Sequence, residues 1–109
     1  MNPTFEELRE TLIGRIYNFL GCTEERSKVI INLMLEDVKL FDRKQRDYGE
    51  HNISKFGEFG VLVRSSDKIE RLTNLHQRGT LPNNESIEDT WRDLSIYATI
   101  ARAIHQGSW

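Results

Sequence analysis

Apolar side chains recur along this chain at steps of three and four, the interval at which an α-helix returns to one face, and no stretch alternates residue by residue as a half-buried strand does. The pattern predicts helices throughout. Phe5, Leu8, Leu12, Ile16 and Phe19 form the first periodic set, opened by a capping box of Thr4 with Glu7 and closed by Gly21, so a helix is expected over residues 4–20. Thr23 is the next N-cap. Glu24 and Glu25 follow it in a first turn where negative charge meets the positive end of the helix dipole, and the periodicity continues to Tyr48 before Gly49. A third helix is expected from the Gly60 region to about His76, stopped by Arg78-Gly79, and a fourth from Ser86, capped against Asp89, to His105.

Between the second and third helices, residues 49–60 contain Gly49, Gly57 and Gly60 with Asn52 and Ser54, which reads as an ordered loop, because Phe56 and Phe59 are wasted if left in solvent. It is expected to fold back onto the core. Residues 80–85 are expected to form a polar hairpin, and the two prolines, Pro3 and Pro82, fall where helices start or stop. The reading is an all-α, four-helix bundle-like single domain over residues 1–109, with the glycine-rich ordered loop between helices two and three.

Composition narrows the function classes. The chain has 109 residues, 38% of them apolar, enough for one core, and 15 Lys and Arg stand against 17 Asp and Glu. A net charge of −2 argues against binding duplex nucleic acid by bulk charge, so any phosphate recognition is local. No apolar run is long enough for a membrane span and no charged-then-apolar leader opens the sequence, so a soluble protein that stays in the cytoplasm is expected. A lone cysteine, Cys22, builds neither an internal disulfide nor a thiolate metal site and reads as a small residue in an interhelix turn. His51, His76 and His105 share no ligand spacing, and His51, in the loop, is the one to test first.

Candidate chemistry comes from polar residues that fall inside apolar arcs, because such residues need partners that solvated ones do not. On helix two the arc of Val29, Ile30, Leu33, Met34, Leu40 and Phe41 also holds Asp37 and Lys44, which either pair with each other or leave Asp37 for a metal. On helix four a main core stripe runs Ile87, Trp91, Leu94, Ala98 and Ala101, and a second stripe runs Asp89, Asp93, Ile96 and Ile100. Carboxylates four residues apart repel, so Asp89 and Asp93 need arginine partners or a hard cation such as Mg2+. Helix three sets Arg64, Lys68, Arg71 and Arg78, with Asp67 and Asn74, against an apolar face of Val61, Leu62, Ile69, Leu72 and Leu75. Such a stripe is either a solvated face or a seat for phosphates.

The run Lys44 to Gly49, then Asn52-Ile53, Phe56-Gly57, Gly60 to Arg64, Asp67-Lys68, Arg71-Leu72 and Asn74-Leu75, followed by Glu85-Ser86, Asp89-Thr90, Asp93-Leu94 and Tyr97-Ala98, resembles the family called nucleotide modification associated domain 1. The resemblance covers residues 37–101. It implies a role in modified-nucleotide metabolism of the phage type, and more distantly it is similar to the MazG-type all-α nucleoside triphosphate pyrophosphohydrolases, although Glu36-Asp37 stands here in place of their Glu-Glu-x-x-Glu.

Taken with the resemblance, the expected site is a pocket between helices two, three and four. Lys44, Asp47, Tyr48, Asn52, Arg64, Lys68, Arg71 and Asn74 would hold a nucleotide, its base against Tyr48, Phe56 and either Trp91 or Tyr97. Asp37, Asp89 and Asp93 would hold Mg2+, and Glu36 or Glu88 would orient a water for attack between phosphates. The alternatives are a non-catalytic binder that sequesters a nucleotide or a nucleotide-derived defence signal, and an accessory of a nucleotide-modification enzyme. A homo-oligomer is expected, associating through Ile96 and Ile100 with Leu62 or Ile69.

Overall fold

A computed structural model describes residues 1–79 and 81–109 as four α-helices, and among the described residues there is no strand. They are α1 (Phe5–Ile16), α2 (Glu24–Tyr48), α3 (Gly57–Arg78) and α4 (Ile87–His105), with a 3-10 turn, Tyr17–Phe19, after α1. No helix is long and apolar enough to cross a membrane among the described residues. The chain divides into two compact units, Met1–Asp42 and Arg43–Trp109.

In the first unit, the Thr4 hydroxyl accepts from the Glu7 N–H at 3.1 Å while the Glu7 carboxylate takes the Thr4 N–H at 3.3 Å, so the expected capping box starts α1. The helix is shorter than the expected 4–20, because residues 17–19 tighten into the 3-10 turn. Thr23 caps α2 by accepting from the Arg26 N–H, and Ser27, fully buried one turn later, meets the Cys22 thiol at 2.9 Å. Lys39 of α2 reaches Glu6 of α1 at 2.8 Å.

In the second unit, α2 ends where the Gly49 N–H bonds the Gln45 carbonyl, and turns over residues 49–56 lead into α3. Ile53 is the buried anchor of this segment, whereas Phe56 and Phe59 are exposed, so the loop folds back through a residue other than the two expected ones. Helix α3 begins at Gly57, earlier than the glycines suggested. Gly60 is one turn in, where an added Cβ would stand 2.7 Å from the Phe56 Cβ, so its role is close packing. At the far end Gly79 takes the left-handed conformation (φ 64°) and its N–H closes on the Leu75 carbonyl. The polar hairpin expected over residues 80–85 begins at Thr80, which lies outside the described residues. Ser86 then caps α4 by accepting from the Asp89 N–H.

Helices α3 and α4 run antiparallel, as their pairings show: Glu58 meets His105 at 3.1 Å, Lys68 meets Asp93 at 3.0 Å, and Arg71 meets Thr90 at 2.6 Å. Between them lie the buried residues Val61, Thr90, Asp93, Ile96 and Ile100. Each fully buried aliphatic side chain contributes about 1.5 to 3 kcal/mol relative to exposure. The two stripes of α4 therefore exchange roles. The one that begins with carboxylates is the core, and Ile87, Trp91 and Ala98 of the other stand exposed, because α3 packs on the 90–93–96–100 side. Burial of Ile96 and Ile100 removes both from any self-association face.

Candidate functional site: an ionic cluster around Asp93

The helical pitch places Lys68 and Arg71 on adjacent turns of α3, facing Thr90 and Asp93 on adjacent turns of α4, and the last turns of α2 bring Lys44 to the same place. Asp93 is 3% exposed. A carboxylate so buried needs cationic partners, and it has two: Lys44 Nζ lies 2.7 Å from Oδ1 and Lys68 Nζ lies 3.0 Å from Oδ2. Burial alone pushes the Asp93 carboxyl up, but the hydrogen bonds from Lys44 and Lys68 outweigh it and hold the group below the usual carboxylate value. Lys68 mirrors this. Burial favours its neutral form, and the hydrogen bonds to Asp93 and Glu85 overcome burial and raise the ammonium above its ordinary value.

Glu85, the last residue before the α4 cap, completes the cluster. Both its carboxylate oxygens accept from Lys68 Nζ at 3.1 Å, so the three N–H bonds of that lysine are spent on two carboxylates. The Thr90 hydroxyl donates to Glu85 Oε2 at 2.7 Å and itself accepts from Arg71 Nη1 at 2.6 Å, forming a relay from guanidinium to hydroxyl to carboxylate. Arg71 Nη2 also donates to the Glu85 backbone carbonyl. Three cations thus face two carboxylates. Glu85 is the accessible one, 29% exposed at its side chain and carried on the connection rather than on a helix.

Of the residues singled out by sequence, Lys44, Lys68, Arg71 and Asp93 come together here. Arg64 reaches the Asn52 backbone carbonyl at 3.4 Å and so ties the 49–56 segment to α3, with the Asn52 carbonyl rather than its side chain engaged. Asp47, Tyr48 and Asn74 are exposed, as is Glu88. Asp89, one turn before Asp93, is exposed too and lies 3.8 Å from Arg92, so the paired carboxylates of α4 part, one to solvent and one to lysines. Glu36, near Asn32 and Arg9, and the half-buried Asp37 belong to the Met1–Asp42 unit. Trp91 and Tyr97, the two alternatives for the aromatic wall, line two different grooves of the α3–α4 pair.

Both oxygens of Asp93 are held by ammonium groups, so its charge is already met by Lys44 and Lys68, a donor set that does not fit the Mg2+ role expected of it. Among the described residues no three His, Cys, Asp or Glu side chains form a metal-holding group. Glu85 and Thr90 had no role assigned from sequence, although a signal existed: at 100° per residue Thr90 falls on the arc between Asp93 and Leu94, so its hydroxyl points into the helix contact. No protein-family model, characterised protein or solved structure matches the chain.

Proposed function

We propose that the Lys44–Lys68–Arg71 cluster binds the phosphate of a nucleotide, and that Glu85 holds the phosphate's place until the ligand arrives. The observation that carries this reading is the donor set around the Glu85 carboxylate. An ammonium, a guanidinium and a hydroxyl converge on one accessible anion, and the same donors suit a phosphate oxygen. Displacing Glu85 leaves Arg71 without a carboxylate and Lys68 with Asp93 alone, which favours a multiply charged guest. The exposed rings of Tyr48 and Phe56, at the two ends of the 49–56 segment, offer stacking surfaces for a base. The resemblance to the nucleotide modification associated domain 1 family supports a nucleotide over a simple anion, and with it a cytoplasmic, phage-type setting.

This makes the chain a binder first. Calorimetric titration with nucleosides and their mono-, di- and triphosphates, with and without Mg2+, is expected to show affinity rising with phosphate number and absent for nucleosides. Glu85→Gln is expected to tighten triphosphate binding about tenfold, the equivalent of about 1.4 kcal/mol, because a competing charge is gone. If neither the native chain nor Glu85→Gln binds any phosphate ester at millimolar concentration, the reading fails. Pyrophosphate release in the same mixtures would identify a hydrolase instead, and mass spectrometry of the purified, denatured protein would reveal a captured signal molecule.

A further inference from the structure

Beside the ionic cluster, the α3–α4 pair carries two matched rows. On α4, Ile87, Trp91, Leu94, Ala98 and Ala101 are spaced 4, 3, 4, 3; on α3, Leu62, Ser65, Ile69, Leu72 and His76 are spaced 3, 4, 3, 4. This alternation keeps a seam on one side of a helix and presents knobs and holes to further helices. Yet the seam is open. Phe59 is 73% exposed, Leu62 61%, Ile69 55% and Trp91 58%. Two grooves lie along it, one of about 470 Å3 floored by Ser65, Ala98 and Ala101, the other of about 390 Å3 beside Trp91 and Ile69.

With Ile87 and the half-exposed neighbours, the seam shows on the order of 700 Å2 of apolar side chain, taking 150 to 250 Å2 for each whole aromatic. That exceeds the largest apolar patch usual on a monomer, a few hundred Å2. It approaches the roughly 800 Å2 that each partner contributes to a standard stable interface.

We propose that a second copy of this chain covers the seam, pairing the two α3–α4 hairpins into a four-helix bundle. The distribution of large and small residues fixes the symmetry. Trp91 is the large knob and Ala98, seven residues on, floors the hole, so a two-fold axis passing near Leu94 seats each Trp91 in the other copy's Ser65–Ala98–Ala101 groove. Leu94 then meets Leu94 of the second copy. Lys44, Lys68, Arg71 and Glu85 belong to neither groove, so the contact does not use the residues of the proposed ligand site.

Sedimentation equilibrium of the full chain is expected to give twice 12.8 kDa at 10 µM or below. Ala98→Arg, which fills the groove with a charged but helix-compatible side chain, and Trp91→Lys, at a position exposed within one chain, are each expected to weaken self-association at least a hundredfold with unchanged helical circular dichroism. In a Cys22→Ser background, Leu94→Cys is expected to form a disulfide-linked dimer on mild oxidation, and Thr99→Cys, on the exposed side of α4, to remain monomeric. A native chain that is monomeric at 100 µM, a dimer indifferent to both surface variants, or cross-linking at residue 99 in preference to 94 would each overturn the pairing.

Discussion

Lys44 Nζ, one turn from the end of α2, lies 2.7 Å from Oδ1 of Asp93 on α4, although 49 positions separate the two in sequence. The bond is asymmetric, because Asp93 is buried while the Lys44 side chain is 39% exposed. Removing the carboxylate therefore costs more than removing that lysine. Asp93→Ala, which strips both Lys44 and Lys68 of a partner, is expected to lower the unfolding free energy by about 3 kcal/mol. Lys44→Met, screened by solvent and leaving Lys68 in place, is expected to cost about 1 kcal/mol or less. Urea denaturation of the two variants checks the order, and equal losses would contradict it.

Acid should undo the same cluster. The Asp93 carboxyl is held below its ordinary value in the folded chain, so the stability it contributes is complete above about pH 4 and is lost as pH falls through the lower folded value. Lys68 is raised, so its contribution is complete below about pH 10 and is lost as pH rises through its folded value. Thermal midpoints measured from pH 2 to pH 7 are expected to show native and Asp93→Asn proteins converging at the acid end. A constant gap across that range would mean that Asp93 titrates as it does in the unfolded chain.

Thr90 separates shape from hydrogen bonding. Thr90→Val keeps the volume but removes the relay between Arg71 and Glu85, and a loss of about 1 to 2 kcal/mol is expected. Thr90→Ser retains the hydroxyl and should lose less. The ranking is read from denaturant midpoints, and Ser falling below Val would show that packing decides this position.

Two glycines inside helices should respond oppositely to alanine. Gly14 has no atom within 4 Å of an added Cβ, so Gly14→Ala is expected to stabilise α1 by up to about 1 kcal/mol. Gly60→Ala gains the same helix preference but drives a methyl onto the Phe56 Cβ, an atom fixed to the backbone, and is expected to be net destabilising by about 1 kcal/mol. Calorimetric melting of both variants gives the two signs directly.

Helix positions were legible because their signals are local. Thr4 with Glu7, Thr23, Ser86 and Gly79 each act on backbone groups within four residues, and the structure uses all four as expected. The faces were harder. Both stripes of α4 are apolar enough to be core, and only the register against α3 decides that Ile96 and Ile100 go inside while Trp91 stays out. The site was half legible for the same reason: an acid in an apolar arc signals that Asp93 needs a partner, but not whether a metal or a lysine 49 positions away supplies it. Glu85 lies on a connection without periodicity, so only the folded chain reveals what it touches.

The place of Glu85, directly before the Ser86 cap, also sets where this protein tolerates changes of length. Residues inserted at Asn83-Asn84, both solvent-facing, leave the anion and the cap in step and should be absorbed with little loss. A single residue inserted between Glu85 and Ser86 would carry the carboxylate away from Lys68, Arg71 and Thr90 while the helix start stays put, so one peptide bond divides a permissive hinge from an intolerant one.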